Sequence, residues 1–264
     1  MIKEYPRPDS SMMAARVAAF SGPSRPEPFD HARFSAQDIR VTSRDCQDRP
    51  DPLIDSIVDC LATPPDGTGA GYCLVNGLAA LMTVESARRF SSELCHAVWA
   101  RYRARCTRIA AGRAFRHIET LTDDGRIPEQ LYGSRWTFKP PHADRNGVLF
   151  AHVYGPHTGF SGGEVLLVDA LAFARDRGIG FEETMTWSDG SGPQKPVLRA
   201  EHFRAALDGY GRRFGQLSPD AILFVNNGPE GLLHGATDLL IRDENRFSRP
   251  LHRVVVREAD EADA

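Results

Sequence analysis

The chain has 264 residues, 41% of them hydrophobic and 25% charged, with a formal net charge of -3 and a pI near 6.3. That length and composition suit one large globular domain, exclude a disordered or fibrous chain, and supply no overall positive field for nucleic acid or an anionic membrane. Five irregularly spaced cysteines, with no Cys-x-x-Cys pair, no signal-peptide pattern and no apolar run long enough for a bilayer, point to a cytoplasmic protein with free thiols rather than a zinc cluster or disulfide frame.

Residues 1–50 are rich in Pro, Ser, Arg and Asp, and read as an extended arm that wraps the body or a second subunit in a homodimer. Residues 51–257 read as a single domain that begins with a helical layer over 51–110. In that layer Asp51 to Ala62 is a short amphipathic helix, Tyr72 to Val75 a strand, and Thr83 to Arg108 a long helix with Thr83 as N-cap. The arginines along this segment (Arg88, Arg89, Arg101, Arg103, Arg105, Arg108, Arg113 and Arg116) read as a solvated helix face, with a binding surface as the alternative.

Past residue 114 the texture changes to short β-like stretches: 114–121, 132–139, 148–154, 164–168, 221–225, 232–241 and 251–257. Helices first and strands after predict an α+β, mainly β fold, a barrel or jelly roll backed by the N-terminal helices. Residues 171–217 interrupt the strands as an insertion rich in Gly, Ser, Asp and Pro, followed by a helical run near Arg199 to Phe214. An insertion of that length in a β-fold is usually functional or mobile. Residues 258–264 form an acidic tail.

The segment that carries chemistry is Pro140-Pro141-His142-Ala143-Asp144-Arg145-Asn146-Gly147. In an extended strand residues two apart face one side, so His142 and Asp144 present an imidazole nitrogen and a carboxylate to one point. A second histidine from a distant strand would complete the two-histidine, one-carboxylate set that leaves open positions on iron. His234 is the first candidate, because an apolar strand, a Gly/Pro turn and a second short strand lead into it. His252, in Leu251-His252-Arg253-Val254, is the rival; His152, His157 and His117 rank below it.

In these landmarks the sequence resembles the iron(II)/2-oxoglutarate-dependent oxygenases, especially their amino-acid hydroxylase and clavaminate-synthase-like branches. The resemblance covers about 131–257 and rests on His142-x-Asp144, the turn Gly162-Gly163-Glu164 before Val165 to Asp169, the passage from Phe224 to Gly235, and Arg249 with Arg253. It implies a double-stranded β-helix (jelly-roll, cupin-like) core. It also implies Fe(II) held by His142, Asp144 and His234, with 2-oxoglutarate and O2 as cosubstrates and Arg249 and Arg253 on the far carboxylate of 2-oxoglutarate. A guanidinium fork matches a carboxylate bidentately. Arg242, Arg246 and Arg257 are the fallback arginines.

Three positions bear on membership. Val165 stands where the taurine-dioxygenase branch has a cosubstrate-binding threonine, and Ala236 follows His234-Gly235 where that branch commonly has arginine. Asp144 is the carboxylate that related halogenases replace with a small residue, so halogenation is not expected, and hydroxylation or another oxidation of an unactivated C–H bond is. The expected substrate is a small polar, amino-acid-like molecule, with Trp136, Arg135 and Asn146 as candidate contacts and Trp187 to Gly192 as a candidate lid. The alternatives are a cupin-like oxygenase or isomerase that does not use 2-oxoglutarate, and a non-catalytic metal-binding module.

Overall fold

The protein is described here from a computed structural model, over residues 38–47, 50–63, 66–106, 115–123, 140–144, 147–154, 157–188, 195–215, 217–227, 232–237, 239–249 and 251–258. Most of the arm, the stretch read as a strand over 132–139 and the end of the acidic tail lie outside them. The chain is a mixed α and β protein. In order the elements are β1 (Asp38–Arg40), α1 (Ser43–Gln47), α2 (Asp51–Leu61), β2 (Tyr72–Asn76), α3 (Val84–Arg105), β3 (Phe115–Asp123), β4 (Gly147–Tyr154), β5 (Phe160–Gly162) and β6 (Val165–Val168). They continue with α4 (Ala170–Arg177), α5 (Phe181–Thr184), β7 (Met185–Trp187), β8 (Pro196–Leu198), α6 (Ala200–Tyr210), β9 (Gly211–Arg213), β10 (Ile222–Asn226), β11 (Leu233–Ala236), β12 (Leu239–Ile241) and β13 (Leu251–Glu258).

The two N-terminal helices form where the periodicity places them. Leu53, Ile54, Ile57, Val58 and Leu61 make one buried stripe on α2. Thr83 caps α3 by accepting from the Ser86 N–H at 3.2 Å, and that helix ends at Arg105. Part of the arginine run is spent on the neighbouring helix. Arg101 pairs with Asp51 at 3.1 Å and with Asp55, and Arg105 pairs with Asp59.

The main sheet is six-stranded, in the order β1-β2-β10-β4-β13-β3, with β1 parallel to β2 and the other pairs antiparallel. Its two faces are buried differently. Leu149, Ala151 and Val153 of β4, with Val254 and Val256 of β13, pack on α2 and α3. Phe150, Tyr154, Leu223, Val225 and Val255 point the other way and enclose a second core with Val165 and Leu167 of the β11-β6-β9 sheet. The period of two along β4 and β13 thus separates a helix-backed face from a face between two sheets.

The insertion contains more regular structure than its composition suggests. Asp169 caps α4 by accepting from Ala172 N at 2.8 Å, and Gly178, with φ of 66°, ends that helix in the left-handed conformation. The helical run expected to reach Phe214 stops at Tyr210, because Gly211–Arg213 pairs with β6 as a strand. The stretch 232–241 divides into β11, paired with β6, and β12, paired with β5. The division falls at Thr237, whose N–H donates to the Glu164 carbonyl and whose hydroxyl accepts from Glu164 N, both at 2.9 Å.

Candidate metal centre

The backbone brings the first two histidines together. His142 and His234 exchange both amide hydrogen bonds, His142 N to His234 O at 2.8 Å and His234 N to His142 O at 2.9 Å. This is the close rung of an antiparallel ladder, whose two side chains emerge on the same face. On its other side His142 bridges to Val197 of β8, flanked by Ala143 N to Pro196 O at 3.1 Å and Leu198 N to Pro141 O at 2.9 Å. A single residue therefore joins the β7-β8 hairpin of the insertion to β11.

The side chains converge as the alternation predicts. The His142 and His234 ring centroids are 4.3 Å apart. His142 Nε2 lies 3.5 Å from Asp144 Oδ1, and His234 Nε2 lies 3.9 Å from Asp144 Oδ2. One ligand atom from each of the three falls within 4.8 Å of the others. Cis ligands about 2.1 Å from a common ion sit roughly 3 Å apart, so a small inward adjustment suffices to close the set. The Pro140 carbonyl accepts from His142 Nδ1 at 2.8 Å, which leaves the Nε2 lone pair facing Asp144. His234 Nδ1 is buried and has no hydrogen-bond partner among the described residues.

Protonation states suit a cation. Burial lowers the pKa of His142, and burial with the nearby His142 lowers His234 well below the ordinary histidine value. Burial pushes Asp144 up, but the His142 imidazole and the Lys195 ammonium outweigh it and hold the carboxyl well below the usual carboxylate range. Two neutral imidazoles and an ionised carboxylate are the forms a divalent metal binds.

Two residues that the sequence reading did not single out hold Asp144. Lys195, the residue before β8, forms an ion pair with its carboxylate. Asn227, 1% exposed, clasps the backbone at Asp144 and Gly147: its Oδ1 accepts from Asp144 N at 3.2 Å, and its Nδ2 donates to Asp144 O at 3.0 Å and Gly147 O at 2.6 Å. Asn227 had a visible signal, the Asn-Asn pair ending an apolar strand. Lys195 had none, because only the fold of the insertion brings it back to the carboxylate.

From the triad, β4 leads to a second polar region. Phe150 lies edge-on to His234 at 5.2 Å, His152 lies 6.5 Å from His234 and 6.1 Å from Tyr154, and the Arg249 guanidinium sits over the Tyr154 ring at 5.6 Å. Arg249 is 7% exposed and donates to the Gly163 carbonyl at 3.1 Å, in the Gly162-Gly163 turn, where both residues have positive φ. Its Nε and that of Arg253 are buried without a hydrogen-bond partner among the described residues. Arg253 faces the same way, since it pairs with His152 across β13 and β4. A cavity of about 180 Å³ opens here, lined by Tyr154, His157, Phe160, Gly163, Val165 and Arg249 among others.

The structure separates the histidine candidates. His142 and His234 meet at Asp144. His252 faces the helices, buried, with its Nε2 3.5 Å from Ser92 Oγ of α3, and is not brought to the site. His157 lines the cavity with Arg249, and His152 lies on β4 between Phe150 and Tyr154; neither belongs to the set of converging ligand atoms. Of the fallback arginines, Arg242 and Arg246 are exposed, Arg246 lying beside Asp243 at 3.5 Å. Arg135, Trp136, Asn146 and most of the candidate lid lie outside the described residues, as do the side chains of His117 and Arg257.

No protein-family model matches the sequence. No curated protein matches it either. Among solved structures the fold is similar to an asparagine oxygenase in complex with Fe(II), 3-hydroxyasparagine and succinate (14% identity, 94% of this chain and 92% of that one, TM-score 0.46). It is also similar to PvcB, an iron and alpha-ketoglutarate-dependent oxygenase from an isonitrile synthetic pathway (16% identity, 70% and 75%, TM-score 0.35). A bsmA homolog from Methylobium petroleophilum PM1 matches at 19% identity over 52% of this chain, with a TM-score of 0.28, and the chain spans only 38% of that protein. Likeness this distant leaves the chemistry to be read from the side chains.

Proposed function

We propose that this chain is a non-haem Fe(II)/2-oxoglutarate-dependent oxygenase with a double-stranded β-helix core, and that it hydroxylates a small, polar, amino-acid-like substrate. The observation that carries this reading is a pair of features on one inner face: a His-Asp-His set and, along β4, a buried Arg249 that no carboxylate of the described residues pairs with. A buried cation without an acid partner is costly, and a ligand carboxylate offsets that cost.

In this reading His142, Asp144 and His234 hold the metal, and Arg249 with Arg253 receives the far carboxylate of the keto acid. When bound, Fe(II) with 2-oxoglutarate and O2 supplies oxidative decarboxylation to succinate and CO2, coupled to oxidation of an unactivated C–H bond. The residues of the chain place and shield. The Pro140 carbonyl orients His142, Asn227 fixes the backbone at Asp144, and Phe150 and Tyr154 wall the path with apolar rings that exclude water. Lys195 balances the Asp144 charge before metal binds, so a divalent cation competes with an ammonium for the carboxylate.

Anaerobic reconstitution tests the assignment. Protein given Fe(II) and 2-oxoglutarate should develop the weak visible charge-transfer band of the chelate, and admission of O2 should yield succinate. Iron binding with neither band nor succinate would reject it. Arg249→Gln should raise the 2-oxoglutarate Kd by about tenfold or more while iron still binds, as expected for losing a charged hydrogen-bonding partner. A screen of amino acids with coupled succinate detection then addresses the substrate.

A further inference from the structure

We propose that His152 is a binding residue for the dicarboxylic cosubstrate, donating a ring N–H to one of its carboxylate oxygens; this role rests on the 2-oxoglutarate reading above. Its position argues first. His152 is the middle residue of the inward row Phe150, His152, Tyr154 on β4, where successive inward residues are about 6.6 Å apart. Phe150 touches the metal ligand His234 at one end of the row, and Tyr154 lies under Arg249 at the other. A molecule that reaches from the triad to the guanidinium passes His152.

Its surroundings argue second. His152 is only 8% exposed, and its contacts are ring faces and edges: Phe150 stacked at 5.5 Å, with Tyr154 and His234 edge-on. Neither ring nitrogen has a hydrogen-bond partner among the described residues, so the ring keeps one donor and one acceptor for a ligand. The alternate residues of the same strand, Leu149, Ala151 and Val153, are apolar, so the polar group is confined to the inward face.

Its neighbours argue third: Arg253 pairs with His152 across β13 and β4, and the Arg249 guanidinium lies over Tyr154, the next inward residue of the strand. Val165, which lines the cavity beside Arg249, offers no polar side-chain atom. In this proposal the carboxylate is held by the two guanidinium groups and one imidazole N–H, instead of by a hydroxyl at residue 165.

The test uses the full chain loaded with Mn(II), which binds without turnover, and titrates 2-oxoglutarate calorimetrically. His152→Leu should raise the 2-oxoglutarate Kd by about tenfold and leave the Mn(II) Kd unchanged. His152→Asn, which keeps an N–H, should retain much of the lost affinity. A His152→Leu protein that binds 2-oxoglutarate within about twofold of wild type would overturn the role. Wild-type Mn(II) protein that binds no 2-oxoglutarate at all would overturn the cosubstrate itself, and this role with it. Should the leucine variant fail to bind metal, the ring nitrogen resonances of His152 in wild-type Zn(II)-loaded protein decide. A shift on addition of 2-oxoglutarate supports the hydrogen bond, and no shift overturns it.

Discussion

Strands β4 and β13 each present two faces that differ in every respect except their backbone. The outer face, against α2 and α3, is Leu149, Ala151 and Val153 on one strand and His252, Val254 and Val256 on the other. The inner face is Phe150, His152 and Tyr154 opposite Leu251, Arg253 and Val255. One face is a hydrophobic seam with a single histidine at its margin; the other collects rings, an imidazole and a guanidinium between two sheets. The same residue type thus means different things on the two faces. His252 is a packed histidine near Ser92, whereas His152 stands between Phe150, which lies edge-on to His234, and Tyr154, which lies under Arg249.

Substitutions can break this comparison, beginning with the largest effect. His234→Ala should lower divalent-metal affinity by at least about a hundredfold, because one of three ligands is lost, whereas His252→Ala should leave it unchanged. Equal losses in metal titrations of the two variants would contradict the division of faces. On the outer face, Val254→Ala should cost about 2 kcal/mol in urea unfolding, from lost burial and the cavity left at a fully buried site, with metal binding intact.

The pH dependence of metal-free protein sharpens the contrast more gently. His152 has its pKa lowered to about 3 and His157 to about 4, in both cases chiefly by burial. The unfolded chain takes up these protons below about pH 6.5, while the native protein refuses them until much lower pH. The unfolded state then binds more protons, so stability is full above about pH 6.5 and falls on acidification toward the folded pKa values. For His152 alone the slope is about 1.4 kcal/mol per pH unit. Melting temperature measured from pH 7.5 to 5 should decline, and less steeply in His152→Leu; parallel curves would contradict a buried neutral ring. Asp144, with its depressed pKa, adds acid sensitivity only below about pH 3.9.

Much of this was legible in the chain, for reasons that can be named. The period of two places His142 and Asp144 on one side, and helical periodicity with Thr83 as cap places the two helices behind the sheet. The same period also bears on the rival ligand: His252 and Arg253 are neighbours on one strand and cannot both point inward. What stayed hidden depends on long-range pairing. Three-residue strands such as β7, β8 and β9 are too short to show alternation, and α4 lay within a stretch whose Gly and Asp suggested loop. Lys195 is a lone lysine until the hairpin returns it to Asp144. His152 ranks below His234 as a ligand candidate, and its ring lies 6.5 Å from that of His234 without joining the His142, Asp144 and His234 set.

The rung between His142 and Val197 also constrains how this protein can vary. A candidate metal ligand that borrows backbone hydrogen bonds from an insertion ties the variation of that insertion to the geometry of the site. Pro196, Val197 and Leu198 cannot be shortened or re-registered without unseating His142, and Lys195 beside them carries the charge opposite Asp144. Anyone redesigning substrate preference through 171–217 would do best to keep Lys195 to Leu198 fixed and draw diversity from the outer surfaces of α4 and α6.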